Sequence, residues 1–299
     1  MERVIDLFAG PGGWDEGARL LDERLDITGV DYSRDACRTA ITAGHRRQHQ
    51  DVRDLSSAAL EGYTGAIMSP PCPTFSRGGL RTGWADYQKV LDVWTGIGWG
   101  LPAAEAMSAV EDVQDPRTAM LAWAGATALT LAGLRWLVME QVPKVEFAWE
   151  DLAAELFSAG WEWADVVRVN AEEHGLPSRR SRVFLVARRL TPGRPIELED
   201  KQVNMAEALG WAGGHRINTR GARRSGGNEF SADRPSWCLT GSSRSWKRED
   251  GELLTPAEAG QLVGFRADYP WTGSRSSQFL QIANVVPPPI AAAVLRMVA

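Results

Sequence analysis

A cysteine between prolines is the residue of this chain whose surroundings point most directly to chemistry. Cys72 stands in the stretch Ser69-Pro-Pro-Cys-Pro-Thr-Phe-Ser76, shortly after a strand-like run, Gly65–Met68. Prolines fix the backbone and remove amide donors, so the thiol is held at the tip of a strand beside a glycine-bearing loop. That placement is typical of a nucleophile. A single cysteine is nonetheless more often an inert buried thiol.

An acidic residue and a group of arginines lie farther along the chain. Glu140 follows the apolar run Trp136–Met139, and Arg179, Arg180 and Arg182 stand close together. A carboxyl group at a strand end can exchange a proton with a substrate, and guanidinium groups favour the ionised form of a nearby thiol. The plain structural alternatives are a helix cap for Glu140 and a solvated face or a phosphate clamp for the arginines.

A glycine-rich turn near the start of the chain indicates a cofactor site. The stretch Asp6-Leu-Phe-Ala-Gly-Pro-Gly-Gly13 predicts a strand, a tight turn and a helix start, although it lacks the Gly-x-Gly-x-x-Gly spacing of dinucleotide sites. Asp31 and Asp51 stand at successive strand ends, where a carboxylate can accept hydrogen bonds from a ribose diol. We therefore expect an adenosine-type cofactor, whereas a glycine turn alone would indicate only a tight turn.

Alternating strand and helix patterns must position these groups. They predict an α/β fold with a Rossmann-like, doubly wound, mostly parallel sheet. Ligands of such sheets bind beyond the carboxyl ends of the strands, where Asp6, Asp31, Cys72 and Glu140 would converge. Strands are predicted at Val4–Phe8, Ile27–Val30, Gly65–Met68, Trp136–Met139, Val166–Asn170 and Val183–Ala187, and helices near Trp14–Leu21, Arg34–Ala43, Ala119–Ala132, Leu152–Ala159, Leu254–Phe265 and Ile290–Val298.

Composition sets broad limits on the kind of protein. The 299 residues are 44% hydrophobic and 24% charged, which is ordinary for a globular protein with one large and one small domain. Three widely spaced cysteines suggest neither a disulfide framework nor a zinc cluster, and they fit a reducing cytosol. We find neither a membrane-length apolar run nor a signal-peptide pattern, so we expect a cytoplasmic protein without a membrane partner.

The charge is unevenly distributed. Residues 177–248 carry 15 Lys and Arg against six Asp and Glu, so this segment has a balance of +9, and the remainder of the chain carries −14. A concentrated basic segment on an acidic body is typical of a protein that grips a polyanion on one face, and the alternative is a solvated basic surface.

Two stretches lack clear periodicity. Residues 188–234 are rich in Arg, Gly and Asn, which indicates a small inserted lobe with a basic loop. Residues 77–114 carry several glycines and tryptophans beside Cys72. This second stretch is interpreted either as a lid over the site or as a surface insertion with a short helix near Asp86–Trp94.

Taken together, the motifs resemble those of the DNA (cytosine-5)-methyltransferases. The order of the matching stretches is far more specific than any one of them. They follow the family's order through nearly the whole length: Asp6–Gly13, Asp31, Asp51-Val52, Pro71-Cys72 with Phe75-Ser76, Asp115–Arg117, Glu140–Val142, Asn170–Arg182, Arg234–Thr240 and Gln281–Pro288.

The resemblance implies S-adenosyl-L-methionine as methyl donor, S-adenosyl-L-homocysteine as product and no metal. It implies a catalytic domain at 1–187 that resumes at 251–299, with a target-recognition lobe at about 188–250. The partner would be duplex DNA, a cognate restriction endonuclease would be a functional partner, and a monomer is expected. The expected cofactor-binding residues are Asp6, Phe8, Ala9, Gly10, Gly12, Gly13, Asp31, Tyr32, Asp51, Val52, Pro71, Asn284 and Val285.

The resemblance also implies a role for each reacting group. Cys72 would add to C6 of a cytosine so that C5 can attack the methyl group. Glu140 would stabilise N3, Arg182 would donate to O2, and Arg180 would support the loop and the DNA backbone. The base would be flipped out of the duplex, because its reacting atoms lie inside the stack. The residue that removes the C5 proton is not identified.

Some positions depart from the family pattern. Gln141 stands where Asn is usual, Ser178 where Gln is usual, and Ala283 and Val285 flank Asn284 in place of Gly and Ala. None of these changes removes a reacting group, so we expect an active enzyme. The alternatives are cytosine methylation in RNA, a catalytically weak DNA-binding homologue and transfer of a modified methyl group.

Overall fold

The computed structural model describes residues 1–21, 24–71, 83–221 and 227–299. Cys72 therefore lies outside the described residues. Ten strands are described: β1 Glu2–Leu7, β2 Leu25–Asp31, β3 Arg46–His49, β4 Gly65–Met68, β5 Trp136–Gln141, β6 Trp163–Asn170, β7 Ser181–Arg188, β8 Arg216–Asn218, β9 Glu229–Ser231 and β10 Lys247–Arg248. The α-helices described are α1 Gly13–Ala18, α2 Arg34–Thr42, α3 Gly83–Gly98, α4 Ala103–Ala106, α5 Pro116–Thr130, α6 Glu146–Ser158, α7 Met205–Leu209, α8 Pro256–Leu262, α9 Arg275–Asn284 and α10 Pro288–Val298.

The main sheet has seven strands in the order β3-β2-β1-β4-β5-β7-β6. Strands β1 to β5 pair in parallel, whereas β7 runs antiparallel to both β5 and β6. The predicted mostly parallel, Rossmann-like sheet is confirmed. Because β7 runs in the opposite direction, its first residues lie at the same rim as the last residues of β5. This orientation brings Arg182 to the rim where Glu140 stands.

Helices cover both faces of the sheet, and each face has its own apolar core. One core packs α3, α5 and α6 against the sheet, and the other packs α1 and α10 against it. The apolar stretch Arg275–Val298, which includes α9 and α10, is long enough to cross a membrane, but 78% of its apolar 18-residue window is buried inside the protein. Such burial is typical of helices that pack in the core of a protein.

Helix α3 occupies much of residues 77–114, the stretch interpreted above either as a lid or as a surface insertion with a short helix. Its 16 residues form a helix whose Val90, Val93 and Trp94 are fully buried in the core. The Trp94 indole donates to the carbonyl of Ala122 at 3.1 Å, and Gly125 leaves room for the ring. Helix α3 therefore packs on α5 and is longer than the predicted short helix near Asp86–Trp94. Residues 77–82 lie outside the described residues.

A second, small sheet has the strand order β10-β8-β9. It belongs to an apolar cluster in which Ile217, Phe230 and Trp246 pack with residues of α8 and α9. The sheet lies within the segment 188–250 that we assign to target recognition, and this assignment stays a prediction.

Candidate active site

The predicted acid and one predicted arginine meet at the rim of the sheet. Glu140 is the fifth residue of β5, and Arg182 is the second residue of β7. The Nε of Arg182 lies 2.7 Å from Oε1 of Glu140. Burial raises the pKa of Glu140 above its ordinary value, and the charges of Arg182 and Arg180 offset only part of this effect. Glu140 is thus a weaker acid than a free glutamate, and its carboxyl group still accepts from the guanidinium group.

Arg180 supports the surrounding chain from a buried position. Its guanidinium group donates to the carbonyl of Ala283 at 2.8 Å and to that of Val285 at 2.6 Å. The side chain is 2% exposed. The expected role of Arg180 in supporting the loop and the DNA backbone stays a prediction, and its guanidinium group bonds backbone carbonyls of the protein.

Gln141 anchors the segment that leads to Cys72. Its Nε2 donates to the carbonyl of Pro70 at 2.9 Å, and its Oε1 accepts from the backbone N–H of Val142 at 2.7 Å. Trp14 adds a second tie, because its indole donates to Ser69 Oγ at 3.0 Å. These bonds tie Ser69 and Pro70 to β5 and α1 just before Pro71.

The glycine turn after β1 has the backbone that its sequence predicts. Gly10 and Gly12 have φ values of +56° and +113°, and Phe8 also has a positive φ of +66°. A Cβ at Gly13 would lie 2.2 Å from the carbonyl oxygen of Val286. A Cβ at Gly10 would meet nothing within 4 Å. The turn is therefore packed against the protein at Gly13 and open at Gly10.

Two acidic residues flank this turn. Asp31 accepts from the N–H of Gly10 at 2.8 Å and from the N–H of Ser33 at 2.7 Å, and burial raises its pKa. Asp6 is fully buried, and neither of its carboxylate oxygens has a hydrogen-bond partner within the described part of the chain. Burial raises the pKa of Asp6 well above its ordinary value, although the charge of Arg47 opposes the shift.

The remaining predicted cofactor residues lie around the same rim. Tyr32 is 72% exposed directly after Asp31, and Asp51 is paired with Arg53 at 2.7 Å. The other members differ in burial: Val52 and Val285 are buried, Ala9 is buried within the turn, Pro71 is half-buried and Asn284 is exposed.

Sequence reasoning missed a buried arginine beneath the glycine turn. The Arg47 side chain is 0% exposed and pairs with Asp15 at 2.5 Å. Burial opposes its charge, but Asp15 and Asp6 raise the pKa of Arg47 above its ordinary value. Its strand, β3, reads Arg-Arg-Gln-His, a polar pattern that carries no strand signal.

The sequence profile of the C-5 cytosine-specific DNA methylases matches residues 2–95, which include the glycine turn and the Cys72 segment. The chain is also 24% identical, over 336 aligned residues, to the Type II methyltransferase M.AplI of Arthrospira platensis, covering 99% of this chain and 85% of that relative.

Residues 2–95 thus match the C-5 cytosine-specific DNA methylase family, and the similarity to a Type II methyltransferase extends over nearly the whole chain.

Solved structures show the same fold at low sequence identity. The Entamoeba histolytica methyltransferase EhMeth superimposes with a TM-score of 0.70 at 16% identity, covering 100% of this chain and 98% of the other. The S. pombe Dnmt2 methyltransferase gives 0.70 at 17% identity with the same coverage. A putative DNA modification methyltransferase from an E. coli prophage gives 0.64 at 18% identity, covering 99% and 98%.

C-5 cytosine methylases use S-adenosylmethionine, and the residues around the turn fit such a cofactor. It carries two positive charges, on the sulfonium and the ammonium group, as well as a ribose diol. The orphaned Asp6 carboxylate, the two acceptor oxygens of Asp31 and the open space at Gly10 match these groups. Over the described ranges, no group of three or more His, Cys, Asp or Glu side chains could hold a metal ion.

Proposed function

We propose that this protein transfers a methyl group from S-adenosylmethionine to C5 of a flipped-out cytosine in duplex DNA, within a short recognition sequence, through covalent addition of Cys72 to C6. The observation that carries this proposal is the buried pair of Glu140 and Arg182, with 2.7 Å between Nε and Oε1. The pair stands at the strand ends beside Pro70, from which the chain runs to Cys72.

The reaction explains why these residue types are needed. C5 of cytosine is a weak nucleophile, and a thiolate that bonds to C6 turns the C5–C6 unit into an enamine-like nucleophile. Negative charge then develops on N3 and O2 of the ring. Bound S-adenosylmethionine supplies an electrophilic methyl group. Loss of the C5 proton and departure of the Cys72 thiolate restore the aromatic ring.

Glu140 and Arg182 are suited to stabilise that charge. The raised pKa of Glu140 favours a proton on its carboxyl group, which can be donated to N3. Arg182 bonds through Nε to Glu140 and through one terminal nitrogen to the Ser181 carbonyl at 2.8 Å, which leaves the other end of its planar fork to reach O2. The two side chains would thus contact adjacent edges of the same base.

The basic segment supports a polyanionic substrate. Its local balance of +9 lies between residues 177 and 248, which include the small sheet β8–β10. Arginines in this segment can hold phosphates or read guanine in the major groove. A partner restriction endonuclease would be functional rather than physical.

The test measures tritiated methyl incorporation into duplex DNA and into tRNA with the same protein preparation. We expect incorporation into duplex DNA, with the label at C5 of cytosine, and no incorporation by Cys72→Ser. Incorporation into tRNA alone would replace this proposal by the RNA alternative. Incorporation by Cys72→Ser at the wild-type rate would refute the covalent mechanism.

A further inference from the structure

We infer that Arg47 is a positioning residue that sets the orientation of the Ala9–Gly10 peptide in the cofactor turn. This inference rests on the proposed function, which assigns the turn to S-adenosylmethionine. Arg47 bonds the carbonyls of Ala9 and Gly10 but does not come within 4 Å of the space that a Cβ at Gly10 would fill, so we infer that it acts through the backbone rather than on the cofactor.

The side chain reaches the turn by crossing over a glycine. Arg47 pairs with Gly29 in the parallel ladder between β3 and β2. A Cβ at Gly29 would lie 2.1 Å from a terminal nitrogen of Arg47 and 2.7 Å from the Cβ of Ala9. Only a glycine at this position lets the guanidinium group extend across β2 to the end of β1.

At the turn, Arg47 holds two successive carbonyl groups. Its Nε donates to the carbonyl of Gly10 at 3.2 Å, and a terminal nitrogen donates to that of Ala9 at 3.3 Å. The N–H of Gly10 donates in the other direction, to Asp31 at 2.8 Å. The C=O and N–H of a trans peptide point in opposite directions, so Arg47 and Asp31 clamp the Ala9–Gly10 peptide from its two sides.

The buried charge of Arg47 is balanced by Asp15. The guanidinium group bonds both carboxylate oxygens of Asp15, at 2.5 Å and 3.2 Å, and Asp15 is 6% exposed. Tyr269 extends the clamp, because its hydroxyl donates to the carbonyl of Pro11 at 2.5 Å. The carbonyls of Ala9, Gly10 and Pro11 therefore all accept from side chains of the protein.

A purely structural ion pair would have the same charges, so the test must separate the two roles. Arg47→Lys keeps a positive charge for Asp15 but loses the planar fork that bonds two carbonyls and a carboxylate together. The double variant Arg47→Met with Asp15→Asn removes both charges and leaves neither buried alone. Arg19→Met is the matched control, since Arg19 bonds Glu16 and the carbonyl of Ala43 but not the turn.

Each variant is compared with the wild type in three measurements: melting temperature, hydrogen exchange of the Gly10 amide in cofactor-free protein, and the Kd for S-adenosylhomocysteine by calorimetry. We expect the Arg47→Lys and double variants to remain folded, to exchange the Gly10 amide faster and to bind S-adenosylhomocysteine about tenfold more weakly or worse. The KM for S-adenosylmethionine should rise more than kcat falls. Arg19→Met should match the wild type in exchange and binding.

A folded Arg47→Lys or double variant with wild-type exchange at Gly10 and wild-type S-adenosylhomocysteine binding would overturn the inference. The exchange measurement needs neither cofactor nor nucleic acid. Faster exchange in a protein that methylates no cytosine would therefore refute the proposed function alone.

Discussion

The side chains of Arg182 and Glu140 meet at 2.7 Å across the antiparallel pair of strands β7 and β5. Glu140 is the penultimate residue of β5, and Arg182 is the second residue of β7, so the sheet topology itself brings them together. Both side chains are largely buried, and the carboxyl group retains a raised pKa despite its partner. A carboxyl group with a raised pKa beside a guanidinium group is suited to a base that gains negative charge on two atoms bonded to the same carbon, N3 and O2.

Replacing Glu140 by Gln tests the acid role. The amide keeps the size of the side chain and can still accept from Arg182, but it cannot transfer a proton to N3. We expect the rate of methyl transfer to fall by about 10²–10⁴-fold, the usual contribution of general acid catalysis, while S-adenosylhomocysteine binding is retained. Single-turnover kinetics at saturating DNA and cofactor measure this step.

Glu146 offers a matched control for that variant. It is the first residue of α6 and pairs with Arg168 of β6, but both side chains are more exposed, at 30% and 49%. Glu146→Gln should leave the rate unchanged, because an exposed ion pair contributes little. Equal losses of rate in the two Gln variants would contradict a specific role for Glu140.

The pH dependence follows from the direction of the Glu140 shift. Its pKa is raised, so the proton is lost as the pH rises through that higher value, and kcat/KM should fall on the alkaline side. Glu140→Gln should lose the alkaline fall. An unchanged profile in this variant would argue against proton donation by Glu140.

Gln141 should matter for both stability and rate. Gln141→Leu leaves the buried carbonyl of Pro70 without its donor, which costs about 1–3 kcal/mol in the free energy of unfolding. It also loosens the chain that precedes Cys72, so methyl transfer should slow more than cofactor binding weakens. Gln88→Leu, which removes an exposed helix bond to Asp92, should do neither. Denaturant unfolding and single-turnover rates check both expectations.

The glycine turn predicts opposite outcomes at two neighbouring positions. Gly13→Ala places a Cβ 2.2 Å from the carbonyl of Val286, so it should destabilise the fold by about 1–3 kcal/mol or more. Gly10→Ala meets no protein atom within 4 Å, so its cost is mainly the strain of its positive φ, about 1–2 kcal/mol. Its larger effect should be on S-adenosylhomocysteine affinity, because the methyl group enters the open space.

Gly160→Ala is the control for the strain at Gly10. Gly160 also has a positive φ, +84°, a Cβ added there would meet nothing within 4 Å, and the residue lies after α6, outside the turn. This variant should lower the melting temperature as Gly10→Ala does and leave cofactor binding intact. Similar cofactor affinities for the two variants would contradict the assignment of the open space.

The strands that can be predicted are those with buried, apolar patterns. Strands β1, β4 and β5 have mostly buried side chains, and the apolar run of each predicts it. Strand β3 is implied only by the placement of Asp51 at a strand end, and its residues cannot be identified from a pattern because Arg46–His49 is polar and lies at the edge of the sheet. The antiparallel direction of β7 also escapes prediction, since an apolar strand looks the same in sequence whichever way it runs.

The residues of the candidate site also differ in whether the sequence alone reveals them. Glu140 and Arg182 can be proposed from sequence because their motifs have a chemical meaning, although their mutual contact depends on strand direction. Arg47 cannot be proposed in this way, since its role depends on a cross-strand glycine and on two backbone carbonyls distant in sequence. Such contacts leave no periodic or local signal along the chain.

Trapping with a duplex that carries 5-fluorocytosine at the methylated position tests the covalent mechanism most directly. Fluorine at C5 cannot leave as a proton does, so the protein should remain bonded to C6 after methyl transfer. We predict a denaturation-resistant adduct in the presence of S-adenosylmethionine, with the modified peptide containing Cys72 and with no adduct from Cys72→Ser. Folded, cofactor-loaded protein that methylates the normal duplex yet forms no adduct, or forms one at another residue, would contradict the account.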